Sequence, residues 1–339
     1  MGRNFGRVAA ACLALAVVPA SAREAQDWTL VDLGTLGGPG SYGAALNDHG
    51  TVVGCADVDA TSAHAFVYGD GAMHDLGLGS DSAVGHSCAL AVNDNGVVAG
   101  RAASGELVTW DGSALIPLGV KGNIGGINDA GVVVGAYTEG ASTRAFMYAN
   151  GAVTALGTAA SSVASAINAR GEIAGASDGQ AFVYRGGALV ALGTLGGNRS
   201  EAKGINDAGQ LVGMSTDANG QPLSFLYESA MQALQAPSYS GAVAINDRGQ
   251  VVGSSEGTHG YLIEAGRYTR LDTLAPVVAK GWRHMEPTGI NNTGWIVGTG
   301  TDPDGNLRAF LLVPPTPKVE MRLTRLDVSA ATTTRRSPP

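Results

Sequence analysis

One ten-residue phrase governs what this chain can fold into. It is first met as ALNDHGTVVG at residues 45–54 and returns as AVNDNGVVAG, GINDAGVVVG, AINARGEIAG, GINDAGQLVG, AINDRGQVVG and GINNTGWIVG. Its Asn falls at Asn47, Asn93, Asn128, Asn168, Asn206, Asn246 and Asn291, in steps of 46, 35, 40, 38, 40 and 45. A period near 40 is what four short strands and their turns require. The phrase reads as strand, turn, strand. Apolar residues precede the Asn, β-branched residues follow the first Gly, and N-D-x-G between them is a tight-turn signal. The Asn-to-second-Gly distance is 7 in every copy, so the hairpin accepts no insertion. Asp gives way to Ala169 in the fourth copy and to Asn292 in the seventh. A turn survives that change, whereas a sevenfold metal site or catalytic carboxylate does not.

Two further elements share the period. One is HAFVY at residues 64–68, with counterparts beginning at Leu107, Ala145, Ala181, Ser224, His259 and Ala309. The other is a DLG-like strand with its Leu at Leu33, Leu76, Leu118, Leu156, Leu192, Leu234 and Leu271. A unit is therefore strand a ending in Asn, strand b (VVG), strand c (AFVY) and strand d (DLG). The first d strand precedes every a strand, and the last unit ends at Leu312 and Val313 without a d. The N-terminal strand can supply the missing one, which removes the open sheet edges. The expected fold is all-β: a seven-bladed β-propeller of four-stranded antiparallel blades over residues 23–313, its ring closed by the N-terminal strand. A β-solenoid explains the period but not the orphan strand.

The first H-A-F tripeptide, with N-D-x-G-x-V-V-G and D-L-G-T-L-G-G, resembles the bacterial HAF-repeat extracellular proteins. The resemblance runs over residues 28–313. It implies export and a repeat fold, and it carries over no activity and no catalytic residue. Only the first copy here has the full tripeptide, so its His is not read as an essential ligand.

Residues 1–22 have the form of a secretory signal peptide: Arg3 and Arg7, an apolar run over 8–18, and Ala20, Ser21 and Ala22 at the cleavage site. That run is too short to span a membrane. The expected location is extracellular or periplasmic. In an exported chain the two remaining cysteines, Cys55 and Cys88, invite a disulfide between the first two units. Loss of the leader takes the formal charge from −8 to −10. The Pro-, Thr- and Arg-rich tail at 314–339, read as disordered, holds a net +3 and leaves −13 on the repeats. So acidic a body argues against nucleic acid and anionic membranes as partners.

Loop lengths separate two faces. The a–b turn is constant, and the c–d turn nearly so. From the d-strand Leu to the next Asn the chain takes 17, 10, 12, 14, 12 and 20 residues. Binding groups concentrate on variable loops held by a rigid scaffold. The candidates are Trp282, Arg283, His284 and Glu286 in the longest connection (272–289), His86 in 79–87, and Arg199 and Glu201 in 196–203. The loops DANGQ at Asp217 and DPDGN at Asp302 resemble fragments of calcium loops, but type I turns explain them. No catalytic or cofactor-binding motif is present, and no cofactor is expected. The expectation is a monomeric, non-catalytic exported protein that binds a small ligand, a glycan or a surface partner through the variable face. The alternative is an extracytoplasmic hydrolase or lyase with its site at the central channel mouth.

Overall fold

The computed structural model describes residues 28–77, 86–157, 159, 161–256 and 259–315. The expected leader, the tail from 316 onward and most of the 79–87 connection lie outside the described residues.

Each phrase folds into the hairpin its turn residues dictate. In the first unit the Asn47 N–H donates to the Thr51 carbonyl and the Gly50 N–H to the Asn47 carbonyl, both at 3.1 Å. The same two bonds recur in all seven copies, and the turn glycine always has φ between 72° and 85°. The second Gly has a different cause. A Cβ on Gly54 would lie 1.9 Å from the Tyr42 carbonyl and 2.8 Å from the Phe66 ring, so strand b must be bare where strand c lays its aromatic. Strand a carries a β-bulge three residues before every Asn, between Gly43 and Ala45 in the first unit.

The strands pair antiparallel in the order a, b, c, d. The first unit runs Ser41–Leu46, Val52–Asp57, Ala63–Gly69 and Ala72–Asp75. The fourth, fifth and sixth repeat it from Ser162–Ile167, Gly196–Ile205 and Ser240–Ile245. The second and third units are joined into one seven-stranded sheet. There a single strand, Leu115–Ile127, pairs first with Glu106–Trp110 and then with Val133–Glu139. Only 10 residues separate Leu118 from Asn128, the shortest of the spans from strand d to the next Asn, so strand d runs into strand a without a loop. The last sheet holds the first and the last of the described strands. Thr29–Asp32 lies beside Leu307–Val313, with Leu30 opposite Leu312, and Ile296–Thr301 and Arg283–Ile290 follow.

The apolar core is divided among the junctions between units. Val53 and Ala65 of the first unit pack with Ala89 and Val98 of the second. Val297, Ala309 and Leu311 of the last pack with Val52 and Phe66 of the first. Phe66, Phe146, Phe225 and Phe310, the aromatics of the AFVY element, are fully buried. Cutting one to Ala costs about 3–5 kcal/mol.

Candidate functional site

The Asn side chains answer for one end of the a strands. Each is buried, and its Oδ1 accepts from the backbone N–H four residues on, as in Thr51 to Asn47 at 2.9 Å. Its Nδ2 donates to the carbonyl of the next unit's Asn, at 2.8–3.2 Å. The series returns on itself, since Asn291 Nδ2 donates to the Asn47 carbonyl at 3.0 Å. A second series lies outside it. The Asp48 N–H donates to Asp94 Oδ1, Asp94 to Asp129, Ala169 to Asp207, Asp207 to Asp247, Asp247 to Asn292 Oδ1, and Asn292 to Asp48. Ala169 offers no acceptor, so the second series is interrupted there. All of these but Ala169, with Leu46, Val92, Ile127, Ile167, Ile205, Ile245 and Ile290, line a cavity of about 210 Å³. Its polar groups are largely committed to one another.

Strand a alternates along its length. Six residues before the Asn stands a buried residue in six of seven units, and in five it is Ser: Ser41, Ser87, Ser162, Ser200 and Ser240. Each of these hydroxyls accepts from a backbone N–H in strand c of the preceding unit: Ala309, Ala65, Ala145, Ala181 and Ser224. This Ser was legible as S-x-x-x-x-x-N but is masked by the variety around it. The Ala of H-A-F is thereby explained, being fully buried with its N–H held by the neighbouring unit. Where Met285 replaces the Ser, Gly260 replaces the Ala, and a Cβ there would lie against the Met285 carbonyl. The fifth and sixth units make another matched exchange: Ser224 stands for Ala and Tyr261 for Phe, and the buried phenol meets Ser224 Oγ at 2.7 Å. Burial pushes the Tyr261 phenol far above its ordinary value.

Residues on the other side of strand a reach solvent. Five before the Asn stand Tyr42, Asn123, Glu201 and Glu286, exposed or half-buried, and seven before it stand His86, Lys121, Ser161, Arg199, Tyr239 and His284, all exposed. Three of the expected residues, His86, Arg199 and His284, thus occupy one register position in three units, at the end opposite the Asn turns. Arg283 lies one residue further out and is exposed. Glu201 forms an ion pair with Lys203. Burial, and then the Glu286 carboxylate, raise the Tyr42 phenol above its ordinary value. No hydrogen bond or ion pair links any two of the seven expected residues among the described part of the chain. Tyr239 and His284 hold φ of 60° and 51°, rare for side chains of their size. Lys121 and Tyr239 escaped the sequence reading because they lie in short connections.

Most of these residues belong to strands rather than loops. Arg199 and Glu201 lie in Gly196–Ile205, and Arg283, His284 and Glu286 in Arg283–Ile290. The count from strand d to the Asn includes strand a itself, so the true loops are shorter. The longest connection forms a 3₁₀ turn, Leu271–Thr273, and a helix, Ala275–Ala279. Trp282 is only 5 % exposed and meets Phe310 edge to face at 6.5 Å. It packs with Leu271, Leu274 and Val277 over Leu30 of the N-terminal strand, and Lys280 Nζ donates to the Leu30 carbonyl at 2.8 Å. This segment holds the joint between the chain ends, and Trp282 offers no surface to a ligand.

Cys55 and Cys88 are joined in a disulfide across the first two units, their Cα atoms 4.7 Å apart. Asp217 Oδ1 accepts from the Asn219 and Gln221 N–H groups, and Asp302 Oδ1 from Asn306, which is turn chemistry. Two His of the H-A-F position have carboxylate partners: His64 has Asp75 of strand d at 2.7 Å, and His259 has Asp272 of the 3₁₀ turn at 3.1 Å. Among the described residues no three His, Cys, Asp or Glu side chains gather to hold a metal ion. No described helix is long and apolar enough to cross a membrane.

Neither the protein-family models nor the curated proteins contain a match to this chain. Solved structures do match in fold. YCF48 bound to D1 peptide is 13 % identical, with a TM-score of 0.52, covering 86 % of this chain and 97 % of that one. The β-propeller domain of the Trilobed protease from Pyrococcus furiosus is 9 % identical with a TM-score of 0.50, covering 85 % and 99 %. The WD40 propeller domain of Doa1 gives 12 % and 0.45, covering 83 % and 96 %. Together with the four-stranded antiparallel sheets, the likenesses to YCF48 and to the Trilobed protease domain identify a β-propeller fold.

Proposed function

We propose that this chain is an exported, monomeric, non-catalytic HAF-repeat protein. In this reading it is a closed seven-bladed propeller that binds a ligand at the end of its axis opposite the Asn turns. Closure is supported by the pairing of Thr29–Asp32 with Leu307–Val313, by the return of the Asn series from Asn291 to Asn47, and by the apolar cluster shared by the last and first units. Export is supported by the form of residues 1–22 and by the disulfide, which persists in oxidising compartments.

The observation that carries the binding reading is the contrast between the two ends of strand a. At the Asn end the same residues recur and bond one another. At the far end the position seven residues before the Asn is exposed in six units and holds His86, Lys121, Ser161, Arg199, Tyr239 and His284. A scaffold that bonds itself at one end and varies its exposed residues at the other suits recognition at the variable end. YCF48, of like fold, is bound to a peptide in its own structure. The test is a glycan and metabolite screen on the purified chain, repeated on Arg199→Ala/His284→Ala and on Asp129→Ala. Loss of a ligand in the first variant alone is expected. Loss in Asp129→Ala alone would place binding at the Asn turns and end this reading.

A further inference from the structure

We infer that the ring opposite the Asn turns takes a carboxylate- or sulfate-bearing ligand, held by Arg199, Tyr239, His284 and Arg283 on three successive units. The inference rests on the binding reading above and names the ligand class for that site. In the fifth, sixth and seventh units Arg199, Tyr239 and His284 stand seven residues before the Asn, and in the seventh a bulge puts Arg283 opposite strand b at Thr301. All are exposed, Tyr239 at 59 %. Lys121 extends the arc on the third unit and His86 on the second.

Among these residues the cations Lys121, Arg199 and Arg283 are uncommitted, in contrast to others of the chain. Arg144 is paired with Glu139, Arg170 and Arg185 with Glu172, Lys203 with Glu201, Arg270 with Asp272 and Arg308 with Asp302. No acidic side chain lies in ion-pair range of Lys121, Arg199 or Arg283 among the described residues. The strand-b neighbours of the arc are neutral where the arc is charged. Thr216 accepts from the Arg199 N–H, and Thr301 stands opposite Arg283 and within 3.4 Å of His284. Acids flank the uncharged positions instead: Asp178 bonds by its N–H to the Ser161 carbonyl, Glu256 to that of Tyr239, and Asp57 to that of Gly40. Glu106 faces Lys121 in register without pairing, Glu286 sits deeper beside Tyr42, and Glu201 is held by Lys203. No acidic residue occupies the ring position in any unit, although the repeats as a whole are strongly acidic. Arginine forks match carboxylate and sulfate oxygens, and an exposed Tyr ring offers a flat face beside them.

The test is calorimetric titration of the full chain with trigalacturonate and with inorganic sulfate. A neutral trisaccharide and trilysine serve as counter-probes. Both anions are expected to bind, to weaken as salt rises, and to lose at least tenfold in affinity in Arg199→Ala and in Arg283→Ala. Asp129→Ala, at the far end, should keep the wild-type affinity. Absence of binding by either anion at millimolar concentration overturns the anionic assignment. So does anion binding that ignores both Arg variants. A neutral or cationic probe lost in Arg199→Ala would refute the ligand class while leaving the ring as the site. A probe lost only in Asp129→Ala would refute both.

Discussion

Asn128→Ala tests whether the Asn series holds the units together. Asn128 is 7 % exposed and serves two partners. Its Oδ1 is the acceptor for the Val132 N–H at 3.0 Å, and its Nδ2 donates to the Asn168 carbonyl at 3.2 Å. Truncation strands the half-buried Val132 N–H, which costs about 1–3 kcal/mol. The Asn168 carbonyl keeps the Gly171 N–H at 3.0 Å, so its loss is nearer the net value of one hydrogen bond, about 1 kcal/mol. The expected cost is about 2–4 kcal/mol in equilibrium denaturation at pH 7. Asn128→Asp keeps the acceptor but turns a carboxylate oxygen toward a carbonyl. Its folded-state pKa is then raised, so the variant is destabilised at pH 7 and recovers as pH falls and the acid regains a proton to donate. Asp129→Ala, one residue on, is the control. It removes an exposed acceptor from the Asp94 N–H and should cost about 1 kcal/mol or less. If Asn128→Ala stayed within about 0.5 kcal/mol of the parent, or Asp129→Ala matched it, the inner series would not be what binds unit to unit.

Other expectations follow from single contacts. Ser224→Ala leaves the buried Tyr261 hydroxyl without its partner and should cost about 1–3 kcal/mol. Ser224→Ala/Tyr261→Phe, which restores the pairing used by other units, should cost less than Ser224→Ala alone in the same denaturation assay. Reducing the Cys55–Cys88 bond opens a closure of 33 residues and should lower stability by roughly 4 kcal/mol on loop entropy. Denaturation with and without reductant reads this, and a Cys55→Ala/Cys88→Ala chain should ignore the reductant. For Asp272, burial raises the carboxyl, but Arg270 and then His259 outweigh it and hold the pKa below the ordinary 3.8. A depressed carboxylate stabilises the fold above its unfolded pKa and loses that contribution as pH falls through the folded one. Asp272→Asn should therefore narrow the gap to wild type in acid, below about pH 4, and widen it at neutral pH.

The sequence by itself determined the unit and the pairing of the chain ends. N-D-x-G specifies a turn locally, because the Asn side chain and the Gly N–H satisfy it within the turn itself. The spacing of the four elements then fixes strand order, and a d strand with no preceding a strand has one natural partner. Even the exchange of Ser224 and Tyr261 for Ala and Phe is written in the text, though its meaning needs the contact. Only the tertiary structure decided which residues of strand a face a neighbouring unit and which reach solvent. That choice depends on a bulge three residues before the Asn and on packing 35–46 residues away, neither of which leaves a local signature. For that reason the Asn proved to be a bond between units as well as a turn residue. For the same reason Trp282, the most prominent residue of the longest connection, went to the core beneath the chain-end joint. His86, Arg199 and His284 stand tens of residues apart in the sequence, and it is the repeat of the fold that carries them to one register.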